Sequence, residues 1–489
     1  MRNSTTSRSP FPLGIRNISR VQGWGMSAES LSYHYKPRDI EEILNVYKIG
    51  QQHNLPIALR GGGRSYGDAS INESGIVLDL TSMNAILDWN PETGVVECEP
   101  GVTLEKLWKT TVPDGWWPPV VSGTMYTSVG GCAAMNIHGK NNFRKGPFGE
   151  HILEFDLLTP TGELLTCTPE SEPELFRSAI SGFGMLGCFT RIKIQLSKVH
   201  SGNVMVEAYR TPSLEGMLGK MERQAPTADY IVGWVDCLSR GSQFGRGVIH
   251  EAWQLPEGKD ADVRGSLQVR NQELPDRMFG LIPKSLMWIP LQFFVNKYGM
   301  RLINTAKYRS SYLLPDGHRY WQPHAAFHFL LDYVPNWKNS YKPGGLIQYQ
   351  AFVPKEHAAD VFSEMIEHAQ DEGMPSFLGV TKRHRPDNFL MTHAVDGFSI
   401  ALDFPVHKKT QRNLWRMCHF FDDLVLEAGG RFYFAKDFTL TESTAEKLFG
   451  EQVLDQFFAL KQQHDPEGLL QTNLARRLFS DRLMEGHST

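Results

Sequence analysis

The sequence has no charge excess: 50 Lys and Arg against 54 Asp and Glu leave a formal net charge of −4, with no block of one sign. Without a basic field to hold a polyanion, nucleic acid is not an expected partner. Cysteine is scarce, six in 489 residues, and no two form a Cys-x-x-Cys pair. Neither a zinc site nor a disulfide framework is indicated, no metal is expected, and reduced thiols fit a cytoplasmic protein. A secretory leader is also missing, since the stretch before Ile15 is polar, carries Arg2 and Arg8, and leads into no apolar run. The most apolar segment, Met278 to Ile303, is broken by Pro283 and Pro290 and carries Lys284, Lys297 and Arg301. It cannot be one continuous membrane-spanning helix.

What is present is the composition of an ordinary globular protein, 41% hydrophobic and 21% charged, in a chain too long for a single core. From about Ile40 to Ser197 short β-rich runs alternate with glycine turns: Ile57 to Arg60, Ile76 to Leu80, Val95 to Cys98, Phe155 to Leu158, Leu164 to Thr166 and Cys188 to Leu196. Helical windows at Ile40 to Gln52, Leu104 to Thr111 and Pro173 to Ile180 lie between them. After about Ser201 the apolar runs lengthen, at Tyr230 to Trp234, Ile347 to Val353 and Phe398 to Phe404, with helical windows at Lys355 to Glu372 and Lys409 to Ala428. The expected fold class is α+β: a mixed first lobe, then a lobe with an antiparallel sheet backed by helices.

The strongest local signal is Leu59-Arg-Gly-Gly-Gly-Arg-Ser-Tyr-Gly-Asp68, with four glycines in seven positions. Such a turn lets backbone N–H groups face inward on phosphate oxygens. Its spacing fits neither a Rossmann fingerprint nor a Walker loop. A second cluster runs from Ser122 to Asn141, where Gly130, Gly131, Ala133 and Ala134 would let backbone approach a flat ligand beside His138, Lys140 and Asn141. A third small-residue stretch, Ser181 to Gly187, leads into a strand. Together they suit an extended dinucleotide.

In this order the segments resemble those of FAD-linked oxidases of the vanillyl-alcohol oxidase (PCMH) type. Within that superfamily the chain resembles oxidases of polyprenylphosphoryl ribose, the flavin subunits of ribose-to-arabinose epimerases. Gly-Arg-Ser-Tyr-Gly-Asp68, Ile-His-Gly-Lys-Asn141, Gly-Pro-Phe-Gly149, Ile-Gln-Tyr-Gln350, Asp-Phe-Pro405, Gly-Gly-Arg-Phe-Tyr-Phe-Ala-Lys-Asp437 and Ala-Arg-Arg477 carry the likeness. It implies a two-lobed fold: an FAD-binding domain at 1–203 (about 20–198 of PCMH type), an antiparallel-sheet substrate domain at 204–427, and a tail at 428–489 that returns to the first.

The resemblance also implies roles. FAD would be held by Arg60, Gly61, Gly62, Gly63, Arg64, Ser65, Tyr66 and Gly67, by Ser122, Gly123, Thr124, Ser128, Gly130, Gly131, Ala134, Met135, His138 and Gly139, and by Gly184, Gly187, Phe189 and Tyr433. Many covalent relatives carry histidine where Arg64 stands, so FAD would be non-covalent here. Lys436, with Tyr66 and His138, would be catalytic: hydride leaves the carbinol carbon while a desolvated amine accepts the hydroxyl proton. Lys140, Gln348, Gln350, Lys382, Ser399 and Lys436 would bind substrate. Gln348 and Gln350, two apart on a strand, share a face.

The implied activity is oxidation of a secondary sugar hydroxyl, the 2′-hydroxyl of a polyprenylphosphoryl-β-D-ribose, to a keto-sugar that an NAD(P)H-dependent reductase completes. The other readings are an aldonolactone or alditol oxidase using oxygen, and a flavin-binding subunit without chemistry of its own. Two positions depart from the family pattern: a cysteine common before the Asp-Phe-Pro segment is Ala401, and an asparagine two residues earlier is Ser399. The segment 278–303, with Met278, Phe279, Leu281, Ile282, Leu286, Met287, Trp288, Ile289, Phe293 and Phe294 among basic residues, suits either peripheral membrane contact or packing in the second lobe's core.

Overall fold

A computed structural model describes residues 13–278 and 281–485; Arg2, Arg8 and Phe279 lie outside the described residues. The first helical window is Ile40–His53, started by the Asp39 side chain accepting from Glu42 N and ended by Asn54 in the left-handed region at φ 52°. It covers a four-stranded sheet ordered Ile18–Gln22, Glu29–Tyr35, Ile76–Asp79, Ile57–Arg60, whose last three strands are parallel. A five-stranded antiparallel sheet follows, ordered Ile86–Asn90, Val95–Cys98, Cys188–Gln195, Ile152–Leu158, Leu164–Cys167.

The second half builds an eight-stranded antiparallel sheet: His318–Pro323, Asn203–Thr211, Gly247–Gln254, Tyr230–Val235, Gly379–His384, Gly397–Pro405, Leu346–Pro354 and Arg431–Phe432. Helices Ala358–Asp371 and Gln411–Glu427 pack on it through Val361, Phe362 and Met365 and through Leu414, Met417 and Phe421. Four of its strands, at 203–211, 247–254, 318–323 and 379–384, are absent from the runs read in the sequence. Each interleaves charged or polar residues such as Glu207, Glu251, Arg319 and Lys382, so their β character shows only once paired.

The tail closes the molecule. Ile57 N donates to Leu469 O at 2.7 Å and Gln471 N to Ile57 O at 2.9 Å, so Leu470 continues the first sheet at its open edge. Tyr66 N donates to Ala435 O at 2.9 Å, tying the glycine turn to the segment before Lys436. Arg477 then bridges Asp68 and Asp437, each at 2.8 Å. Three motifs far apart in sequence thus share one buried ion network. Among the described residues no helix is long and apolar enough to cross a membrane.

Candidate active site

The three small-residue stretches meet. Ser128 caps the helix Val129–Ala134 by accepting from Gly131 N at 3.4 Å, and its Oγ also accepts from Gly62 N at 3.1 Å. The turns lie so close that a Cβ on Gly61 would overlap Ser128 Oγ and one on Gly62 the Tyr126 carbonyl oxygen. Gly63 has φ +61°, a conformation only glycine adopts freely. From the third stretch, Ser181 N and Phe183 N donate to Ala133 O and Ala134 O, each at 3.1 Å. Ser181 and Phe183 sit at φ 65° and 57°, a left-handed cost of about 1–2 kcal/mol apiece that these bonds offset.

A cavity of about 250 Å³ lies where these turns face the eight-stranded sheet and the tail. Of the residues assigned to flavin, substrate or catalysis, all line it except Gly67 and Gly139; Ala133 and Asn141 of the second cluster also lie off its wall. Gly67 instead backs onto the tail, where a Cβ would collide with the Asp437 carbonyl. Gly139 faces the Asn141 side chain. Both lie off the cavity wall, at places where close packing calls for glycine.

Two arginines line the cavity. Arg60 borders it, but its guanidinium donates to Ser70 O, Ser70 Oγ and Gln22 O, each at 3.1 Å, so it holds the loop. Arg64 is freer: its buried Nε has no hydrogen-bond partner among the described residues, and the group stands over Tyr126 and Trp24, 5.1 and 5.7 Å from their ring centres. Lys338 stands 4.2 Å over the other reach of Trp24, drawn down to about 8 by burial and then by Arg64 and Arg60. A buried carboxylate, Asp332, accepts from Thr124 Oγ1 at 2.7 Å and Met125 N at 2.8 Å, and burial pushes it up to about 6. It fastens the second lobe to the Ser122–Thr124 turn.

The cavity is also lined by groups suited to proton transfer. Lys436 Nζ stands 3.9 Å from the Tyr66 ring centre, and burial draws its amine down to about 7 against the opposing pull of the Asp403 carboxyl. Lys382 is drawn down to about 8 by burial, and Lys140 well below the usual lysine range by burial and then Lys382. Tyr66 is fully enclosed with an unpartnered hydroxyl, so its proton is retained. His138 is kept neutral by burial and then Lys382; Lys382 Nζ lies 3.5 Å from its Nδ1, and Gln350 Nε2 lies 3.0 Å from its Nε2. Both neighbours present nitrogen donors, Lys382 Nζ and Gln350 Nε2, and a neutral imidazole has one acceptor nitrogen, so it accepts from one of them and not from both.

The sheet presents alternate residues to the cavity. Gln348 and Gln350 stand opposite Asp403 and Ala401 in register, with Ser399 and Lys382 paired on the next strands. Ser399 Oγ lies 2.8 Å from His384 Nε2, whose Nδ1 donates to Asn142 Oδ1 at 3.0 Å. Asp403, which sequence reading did not single out as a site residue, is fully buried behind Gln348, whose amide donates to it at 2.6 Å; burial pushes the carboxyl up to about 7. Its Oδ2 is unpartnered. Trp24, His328, Leu330 and Leu331 also line the cavity and were not singled out; only their tertiary placement marks them.

Comparison with known proteins agrees with this arrangement. A family model for FAD binding domains matches residues 32–168, and one for D-arabinono-1,4-lactone oxidases matches residues 350–478. Decaprenylphosphoryl-beta-D-ribose oxidase of Mycolicibacterium smegmatis is 30% identical over 481 residues, 96% of this chain and 99% of that protein. A putative D-arabinono-1,4-lactone oxidase of Neurospora crassa is 23% identical over 97% of this chain and 88% of its own. Cytokinin dehydrogenase 2 of Arabidopsis thaliana is 30% identical over 37% of this chain and 34% of its own.

Proposed function

Because the chain belongs to the family of PCMH-type FAD-linked oxidases that includes decaprenylphosphoryl-β-D-ribose oxidase, we propose that it oxidises the 2′-hydroxyl of a polyprenylphosphoryl-β-D-ribose to a keto-sugar. The observation that carries this reading is the gathering of Lys436, Lys382 and Lys140 around the cavity that the glycine turns also line. Of these three buried amines only Lys436 feels a carboxyl, that of Asp403, so the set suits an anionic, phosphate-bearing substrate. In this reading residues 1–203 and 428–489 hold FAD and residues 204–427 supply most of the sugar pocket.

The residues present fit FAD. The glycine turns leave no room for side chains, which suits backbone contact with the pyrophosphate, and Arg64 keeps an unspent donor in the cavity. Arginine forms no link to the flavin 8-methyl, so the cofactor is non-covalent. When bound, FAD supplies the two-electron acceptor for the hydride leaving the carbinol carbon. Lys436 takes the hydroxyl proton at Nζ, His138 and Gln350 orient the sugar, and Tyr66 closes the wall beneath the amine. Asp403 acts through Gln348 and through its charge on Lys436, as a positioning residue. The keto product calls for an NAD(P)H-dependent reductase to complete an epimerisation. Six buried free thiols suit work in the reducing cytoplasm.

Anaerobic mixing with a polyprenylphosphoryl-ribose tests the reading. Bleaching of the flavin band supports it; bleaching only by free sugars or aldonolactones would favour the second reading, which the match at residues 350–478 keeps in view. Bleaching by neither would leave a flavin-binding subunit. Gly62→Ala should lower the flavin bound per protein at least severalfold with the circular dichroism spectrum unchanged.

The pH dependence has a defined sign. Lys436 accepts a proton only as the neutral amine, so kcat rises through about pH 7 and levels above it. The Asp403 carboxylate favours the ammonium form. Asp403→Asn therefore moves the acidic limb of kcat to lower pH; an unmoved limb would show that the two groups do not communicate.

A further inference from the structure

The segment 281–314 is not core. Ten of the nineteen large hydrophobic residues exposed on the described surface fall within it, among them Leu281 at 78%, Phe293 at 74% and Leu313 at 83%. From Arg277 to Leu314 the sequence holds six basic residues and no acidic one, in a chain whose net charge is −4. Lys297, Arg301 and Arg309 are exposed and make no ion pair among the described residues. The helix Lys297–Ser310 turns Asn304 inward, where its Nδ2 donates to Asp236 at 3.2 Å, and sets Lys307 over the Trp234 ring. Its opposite face carries Tyr298, Leu302 and Arg309, four and seven residues apart, so that apolar and basic groups share the outward side.

The same segment backs onto the cavity. Trp24 and Tyr66, which line it, form one apolar cluster with Tyr341 and Leu346, against which Val295, Met300 and Trp337 pack. Trp337 lies 5.8 Å from Trp24 between ring centres, and Ser340 Oγ donates to Trp288 O at 2.9 Å. Leu330 both lines the cavity and is 53% exposed, so the cavity reaches the surface close by in the chain.

We propose that residues 281–314 dock the enzyme on an anionic lipid surface and present the cavity mouth to it. Exposed leucine and aromatic side chains interleaved with unpaired lysine and arginine, and free of acids, match the chemistry of a lipid interface: acyl boundary for the one, negative headgroups for the other. A water-exposed apolar patch of this size asks for an occupant. The protein's overall negative charge makes the attraction local, so it is short-ranged and salt-sensitive. Docking on lipid stands by itself; its use, to load a lipid-linked sugar without drawing the chain through water, rests on the function proposed above.

Flotation of the full-length flavin-loaded protein with phosphatidylglycerol/phosphatidylcholine vesicles, and with phosphatidylcholine alone, tests it. At least tenfold more protein should float with the anionic vesicles, falling as salt rises from about 0.05 to about 0.5 M, over which the screening length shrinks from roughly 14 Å to roughly 4 Å. Phe293→Ser/Leu302→Ser/Leu313→Ser and Lys297→Glu/Arg301→Glu should each lose at least tenfold of that binding. Both should keep wild-type flavin content and turnover of a short-chain, water-soluble sugar phosphate, while losing turnover of a long-chain substrate held in vesicles. Wild-type protein remaining in the soluble fraction, flotation indifferent to lipid charge, or a concentration-dependent dimer that the serine variant abolishes without any flotation would overturn the proposal. Flotation without turnover of either substrate would support docking and sink the substrate reading instead.

Discussion

Lys436→Met is expected to lower kcat about a hundred- to ten-thousandfold, the usual worth of a positioned proton acceptor, with flavin content unchanged. Methionine keeps an apolar stem beside the Tyr66 ring, which the lysine amine now approaches at 3.9 Å, and removes only the nitrogen. Lys436→Arg separates the two things that nitrogen could do. Arginine restores the positive charge but does not give up its proton at any working pH, so it should be as slow as methionine if proton acceptance is the role. Recovery of turnover in the arginine variant would mean that Lys436 works as a fixed charge. Retention of more than a tenth of wild-type kcat by the methionine variant would remove it from the chemistry altogether.

The largest expected effect on stability is that of Arg477→Met. Its guanidinium holds Asp68 and Asp437, whose side chains are 4% and 6% exposed, while its own is 24% exposed. Removing one partner of a buried ion network leaves charge stranded, at a cost of about 3–5 kcal/mol; the partial exposure of Arg477 places the expectation at the lower end, about 3 kcal/mol. Burial already pushes the Asp68 carboxyl up, against the pull of Arg477. Without the guanidinium it rises further, so the variant's deficit is full at neutral pH and shrinks as falling pH protonates Asp68. Urea midpoints at pH 7 and pH 5 would check both statements. Equal deficits at the two pH values would show that lost packing, not stranded charge, is responsible.

The glycine-lined turns were legible because their composition reports a steric fact: a Cβ on Gly61 would meet Ser128, one on Gly62 the Tyr126 carbonyl, and Gly63 has φ +61°, so only residues without side chains let these segments meet. Lys436 was legible for a related reason, since it follows Phe432 to Ala435, all buried. The pairing of Gln348 with Gln350 follows from strand periodicity and is found as expected. Asp403 leaves no such mark. An aspartate before Phe-Pro reads as the polar end of a strand, and its perturbed carboxyl arises only because Gln348 on the neighbouring strand and the enclosing second lobe bury it. Gly67 and Gly139 show the converse: the same residue type in the same motifs serves chain packing. The apolar segment after Arg277 shared its composition with a core element, and only folding could reveal that its large side chains face outward.

The return of the chain to its beginning has a consequence for the order in which the protein matures on the ribosome. The last wall of the cavity, from Tyr433 to Lys436, and the clasp at Arg477 are synthesised some 370 and 410 residues after the turn they close, at Tyr66 and Asp68. A nascent polypeptide halted before that return would display the glycine cradle open on one side. The walls of the cavity are therefore complete only when roughly the last sixty residues have left the ribosome and folded back.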